Sequence, residues 1–216
     1  MTTLVVDTCL GACQVALFEG ARLLFGLSEP MQRGHQERLA PMAAEVMAGA
    51  GAGFAAVGKI AVTVGPGSFT GLRVGLAFAK GLSLGTGAPL AAIGTLQALA
   101  ASVDEGGLSA GAIDARRGLV YLQAVVDGRP VCEPDILPAS EAAARLETVA
   151  PGLWRVGGPG AGLLADADNT WTIELDAPSL LALGALAEAA APAADVRPVY
   201  LRAPDARPLA ERTSGP

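Results

Sequence analysis

The chain has 216 residues, 51% of them hydrophobic and only 4% aromatic, enough for one large domain or two small lobes packed closely through Ala, Val and Leu. Its formal net charge is −6, with Lys59 and Lys80 the only lysines and no basic run, so it is poorly suited to be the main grip on nucleic acid. Cys9, Cys13 and Cys132 form no CxxC and read as free thiols of a reducing compartment. Asp7 breaks the first apolar run and nothing approaches about 18 apolar residues, so neither a leader nor a membrane span is expected and the chain is placed in the cytoplasm.

The chain opens as a three-stranded antiparallel meander: residues 3–7, 14–18 and 22–28 are apolar runs separated by turns at Gly11 and Glu19-Gly20. A helix is predicted over 35–50, with Leu39, Met42, Ala43, Val46 and Met47 on one face and Pro41 near its first turn. Lys59 to Val64 read as a strand that stops at Gly65-Pro66-Gly67. Ser68 or Thr70 then caps a helix reaching about Gly85. Pro89 to Ile93 read as a strand and Thr95 to Ser102 as a helix, before a polar boundary at Asp104 to Gly107. The second half echoes the first. Asp7-x-x-x-Gly11 recurs 107 residues later as Asp114-x-x-x-Gly118, each between apolar strands. A duplicated α/β fold of two actin-like, sugar-kinase-like lobes leaves such a trace, with lobes at 1–103 and 104–202 and a flexible tail at 203–216. Within the second half a turn is predicted at Asp127-Gly128, a helix over 140–148 capped by Ser140, strands at 153–156 and 171–175, a helix from Pro178-Ser179 to about Ala190, and an extended run over 196–202.

Residues 65–71 end a strand and begin a helix with glycines between. This arrangement suits an anion held by backbone N–H groups, or simply a tight turn with a good cap. The Walker ending is absent. Gly71 and Gly75, then Gly81 and Gly85, repeat at a spacing of four within a helix apolar nearly all round, whose only charges are Arg73 and Lys80. Such a helix is buried on every side. One side packs on a sheet; the other is expected to meet a partner chain, or to be covered by the helix over 35–50. His35 is the only histidine, and position 39 is Leu39, so the i, i+4 histidine pair of a metal site is missing and no metal is assigned. No Ser–His triad can be assembled. Asp7 and Asp114 are candidate phosphate-side carboxylates, or else acceptors for their own turns.

Four stretches, in this order, resemble the TsaB (YeaZ) family: Leu4 to Thr8 with the return strand Val15 to Leu17; His35 to Met42; Gly65 to Gly75; and Asp114 to Gly118 leading to Tyr121. The closing run Pro198 to Arg202 fits as well. The resemblance implies an actin-like fold and a role in placing a threonylcarbamoyl group on the adenosine beside the anticodon, at tRNA position 37, in tRNAs reading codons that begin with A. It implies a non-catalytic subunit that binds and stabilises a TsaD-type transferase, which holds the metal and does the chemistry, while a TsaE-type ATPase joins the complex. Transfer RNA is met only through the complex, and a homodimer forms when the chain is alone. The family pairs through the two helices of its first lobe, here 35–50 and 70–85. The expected partner-facing residues are His35, Leu39, Met42, Gly71, Arg73, Val74, Gly75, Phe78, Gly81 and Leu82. No cofactor is assigned to this chain, and ATP or ADP at the level of the complex stays open. The alternative is an autonomous nucleotide-dependent phosphotransferase or ATPase of the same fold, using Asp7, Asp114 and the glycine loops. A third reading is a direct tRNA binder.

Overall fold

A computed structural model describes residues 1–202; the expected tail at 203–216 lies outside the described residues. The opening meander is β1 (Thr2–Asp7), β2 (Ala12–Glu19) and β3 (Arg22–Pro30), all antiparallel. Two parallel strands, β4 (Lys59–Thr63) and β5 (Leu90–Ile93), extend the sheet from the other side of β1, giving the order β3-β2-β1-β4-β5. The parallel connections need long crossovers, and α1 (His35–Gly49) and α2 (Phe69–Thr86) supply them.

Side chains alternate across the strands, so the two faces of this sheet have different cores. Leu4, Val6, Val15 and Leu17 pack under Leu39, Met42, Val46 and Met47 of α1 and Leu76 and Ala79 of α2. Val5, Ala16 and Phe18 face the other way. Arg38 fastens α1 to β3. Its Nε and Nη2 bind Glu29 at 2.8 and 2.5 Å, and its Nη1 binds Glu45 at 2.7 Å, which holds both carboxyls below their ordinary range. The α1 helix runs through Pro41 without a break; Glu37 and Pro41 both lie on its exposed side, where water can take the carbonyl that proline leaves free. Ser68 caps α2, accepting from the Gly71 N–H at 3.3 Å.

The second sheet repeats the plan. Its elements are β6 (Leu108–Arg116), β7 (Leu119–Val126), β8 (Arg129–Pro130), β9 (Asp135–Pro138), α4 (Ala139–Val149), β10 (Trp154–Gly157) and β11 (Thr170–Ile173). The order is β11-β10-β6-β7-β8, with β9 also paired to β7; β10 joins β6 and β11 in parallel and the rest is antiparallel. A 3₁₀ turn at Ala161–Leu164 stands where α2 stands in the first repeat. Ser140 is not a cap: α4 starts one residue earlier, after Pro138, with no side-chain cap bond.

The last helix of each repeat crosses to the other lobe. Helix α3 (Thr95–Val103) packs on β6, β7 and β10, while α5 (Leu180–Ala189) packs on β1, β2, β3 and β5, and the two helices touch each other. Glycines make these seats. A Cβ on Gly111 would overlap the Leu96 carbonyl, and one on Gly184 would overlap the Phe18 ring. The chain then stays with the first sheet. Lys59, 3% exposed, donates from Nζ to the carbonyls of Glu188 and Ala190 at 3.3 and 3.1 Å. Val196 is buried in the first core, and the Val199 N–H donates to the Val64 carbonyl at 2.7 Å. Packing therefore crosses the boundary expected between 1–103 and 104–202: α3 lies between the two sheets, with Ala98 in the first sheet's core, and α5 and the run after it stay with the first sheet. Residues 196–202 form no strand. Among the described residues, no helix is long and apolar enough to cross a membrane.

Candidate functional site

The glycine loop after β4 is filled by the chain's own first turn. The Ser68 N–H donates to the Cys9 carbonyl at 2.7 Å, and the Thr8 hydroxyl donates to the Gly71 carbonyl at 2.7 Å. A Cβ on Gly71 would overlap the Thr8 carbonyl, and one on Gly75 would stand 2.5 Å from Thr8 Oγ1. The first glycine pair thus serves a close approach of α2 to residues 8 and 9. Gly71 and Gly75 are buried inside the chain, which corrects their assignment as partner-facing residues. Gly81 and Gly85 do face open space.

Asp7 ends β1, Asp114 lies two residues before the end of the equivalent β6, and the two do the same local work. Asp7 Oδ1 accepts from the Cys9 N–H at 3.1 Å and Asp114 Oδ1 from the Arg116 N–H at 2.7 Å, each two residues on. Asp7 is fully buried and also accepts from the Thr63 hydroxyl at 2.6 Å, while its Oδ2 has no partner among the described residues. Burial raises its pKa, against the opposing pull of Thr63 and Cys9. The Cys9 thiol donates to Thr63 Oγ1 at 2.9 Å, and burial raises its pKa too; Cys13 is pushed up to about 11, chiefly by burial. Both are free cysteines held as thiols. A cleft of about 290 Å³ opens between the lobes beside these turns, lined by His35, Ser68, Asp114, Arg116 and Asp176 among others. His35 is 8% exposed at the start of α1 and belongs to this cleft rather than to the outer face of the helices. Among the described residues no group of three His, Cys, Asp or Glu side chains is placed to hold a metal ion.

The larger concavity lies on the outer surface, in the groove between α1 and α2. Its volume is about 530 Å³ and its lining is mostly apolar: Gln36, Leu39, Ala40, Phe69, Thr70, Arg73, Val74, Ala77 and Phe78. Of the ten residues expected to face a partner, four meet here: Leu39 at the floor, with Arg73, Val74 and Phe78 on the α2 side. Met42 is wholly buried beneath. Leu82 is half-buried against the first core, and Gly81 is exposed beyond the groove. Met42, like Leu39, lies on the apolar face of α1, and that face covers the sheet. The groove also contains residues that periodicity did not single out, notably Ala40, Ala77 and Phe69. Phe69 is 47% exposed at the first helical position, and Leu84 further along α2 is 89% exposed. An aromatic placed outside the core pattern, four residues before Arg73, was the available signal. The rim of the groove is organised: the Arg73 guanidinium lies 3.7 Å from the Phe69 ring centroid, Arg73 Nε donates to Tyr200 Oη at 3.3 Å, and the Phe69 and Tyr200 rings are 5.6 Å apart.

Two repeated mixed-sheet lobes, with an interlobe cleft flanked by matching aspartate turns, define an actin-like fold, and the ethanolamine utilization protein EutJ from Carboxydothermus hydrogenoformans shares that fold at a TM-score of 0.50 and 10% identity. The comparisons then narrow the class. The family model for TsaD, tRNA N6-adenosine threonylcarbamoyltransferase, matches residues 29–147. The tRNA threonylcarbamoyladenosine biosynthesis protein TsaB of Haemophilus influenzae is 40% identical over 130 residues, covering 58% of this chain and 54% of that protein. The Escherichia coli protein of the same name is 36% identical over 124 residues, covering 56% and 53%. The chain spans about half the length of these curated relatives. A crystal structure from Pseudomonas aeruginosa, described as similar to peptidase YeaZ, matches at a TM-score of 0.78 and 31% identity over 93% of this chain and 99% of that one. The chain belongs to the TsaB (YeaZ) family.

Proposed function

We propose that this chain is a docking subunit of the cytoplasmic assembly that makes threonylcarbamoyladenosine in tRNA, and that it binds and stabilises a TsaD-type transferase through the α1–α2 face. The observation that carries this reading is the exposed apolar groove between those helices. A cavity of that size, walled by Phe69, Val74, Ala77 and Phe78, is costly to leave in water and is what an interface core requires. The match of residues 29–147 to the transferase family supports the choice of partner. That stretch contains α1 and α2, so a transferase of the family carries an equivalent helix pair, and two such pairs can meet about a pseudo-twofold axis. The same surface allows a homodimer when the chain is alone. The reading gives the chemistry to the transferase, brings tRNA in only through the complex, and lets a TsaE-type ATPase join it.

Ala77→Glu places a carboxylate in the groove from an exposed position, and Val74→Glu does so at a half-buried one that also packs on the first core. Pairing with the transferase, followed by sedimentation velocity, should weaken by about a hundredfold or more, the scale of burying an unpaired charge, while the melting curve of the isolated Ala77→Glu chain stays in place. Pairing that survives both substitutions would exclude this surface. The interlobe cleft is what the alternative, an autonomous ATPase, would use. Titration calorimetry with Mg-ATP on the isolated chain separates the two: binding with turnover that Asp114→Ala removes would favour the ATPase.

A further inference from the structure

We infer that the docking groove is built to take a carboxylate of the partner on Arg73, and that Tyr200, from the far end of the described chain, holds Arg73 ready for it. The inference rests on the docking reading above and adds the chemistry of the contact. Among the described residues, Arg73 is the only charged side chain lining the groove. Five other arginines already hold carboxylates: Arg22 with Glu19, Arg38 with Glu29 and Glu45, Arg116 with Asp114, Arg155 with Glu105, Arg197 with Asp195. Arg73 has none among the described residues, in a chain with a formal net charge of −6.

Its contacts orient it without neutralising it. Phe69 stacks under the guanidinium at 3.7 Å and Tyr200 accepts from Nε at 3.3 Å. Neither partner carries a negative charge, and both Nη groups are without a hydrogen bond among the described residues. A planar fork stacked on an aromatic ring has lost much of its rotamer freedom before binding, so a carboxylate meeting it gains two charge-assisted bonds at small entropic cost. A second copy of this chain would bring its own Arg73 to the same face, so a twofold contact centred here sets like charges near each other. A foreign acidic side chain has no such conflict, and that favours the heterologous partner.

Tyr200 is a positioning residue in this scheme. It reaches Arg73 because Val196 is anchored in the first core and Val199 is tied to Val64.

The test uses the full chain and the TsaD-type transferase of the same organism, with affinity measured at several salt concentrations. Arg73→Ala and Arg73→Glu should weaken pairing about tenfold or more and flatten its salt dependence, as expected for loss of a charge pair at a desolvated interface. Arg73→Lys should recover part of the affinity and the salt dependence, because it keeps the charge but not the fork. Tyr200→Phe should weaken pairing by roughly two- to fivefold and leave the salt slope as it was, the size of one neutral hydrogen bond. If Val74→Glu abolishes pairing while Arg73→Ala and Arg73→Glu stay within about twofold of the parent, less than one ordinary hydrogen bond contributes, the carboxylate inference is wrong and the docking reading stands. If Val74→Glu also leaves pairing intact, the docking reading itself fails. An effect of Arg73→Glu confined to self-association would assign the groove to a second copy and overturn the inference.

Discussion

At Asp7 a carboxyl sits in full burial with one oxygen bound by Thr63 and Cys9 and the other bound by nothing among the described residues. Its position is set by the end of β1, where the backbone turns toward the glycine loop. Because burial raises its pKa, the folded chain binds a proton at Asp7 that the unfolded chain has released over the window between the ordinary carboxylate value and the raised one. Stability contributed by this residue is therefore greatest below the ordinary value and falls as pH rises through that window. Asp7→Asn keeps an acceptor for Thr63 and removes the titration. Urea unfolding at pH 5 and pH 8 should show the variant gaining on the parent at the higher pH. A parent that instead loses stability relative to Asn on raising the acidity would mean that Asp7 is ionised in the folded state and held by its donors. Sequence reading found Asp7 and Asp114 as a matched pair, since the spacing is visible. It could not tell that one is sealed and the other half-open, because that depends on Thr63 and on the loop after β4, distant in the chain.

Among the elements, α2 shows both what periodicity reveals and what it hides. Its apolar character was legible, and its cap was narrowed to Ser68 or Thr70, of which the structure uses Ser68; the meander, α1, β4 and β5 were legible too, because each has a clear period and ends in Gly, Pro or a capping side chain. The direction of its glycines was not. Gly71 and Gly75 face Thr8, so a larger side chain there collides with the chain's own turn. Gly75→Leu is accordingly expected to destabilise the monomer by about 2 kcal/mol or more, the cost of overpacking, and to lower its urea midpoint. A Gly75→Leu protein that melts like the parent would mean that the Thr8 turn can move aside. Gly81→Ala, in open space, should do neither harm nor good to the fold beyond the usual propensity gain of about 1 kcal/mol. The strands β8 and β9 were missed because prolines at 130, 134 and 138 punctuate short edge segments that carry too few residues for a period.

For the molecule as a whole, the exchange of terminal helices decides how it unfolds. The boundary at Asp104 to Gly107 marks where one sheet's strands end and the next sheet's begin, and sequence composition shows it. Packing ignores it, because α3 is seated on the second sheet by Gly111 and α5 on the first by Gly184. Neither sheet has both faces covered without a helix from the other repeat, so the lobes should lose structure together. Both tryptophans, Trp154 and Trp171, lie in the second lobe, which makes the expectation easy to check: tryptophan fluorescence and far-ultraviolet circular dichroism should follow one urea curve. Two separated transitions would show that the lobes are independent.

The same exchange matters on the ribosome. All five strands of the first sheet have emerged by residue 93, yet the face on which Ala98 of α3 packs is not closed until residues 180–189 are made. At a synthesis rate of about 5–20 residues per second, that leaves Phe18 and its neighbours without the cover of Leu183 and Ala187 for roughly 4 to 17 s, long enough for chaperones to engage the nascent chain.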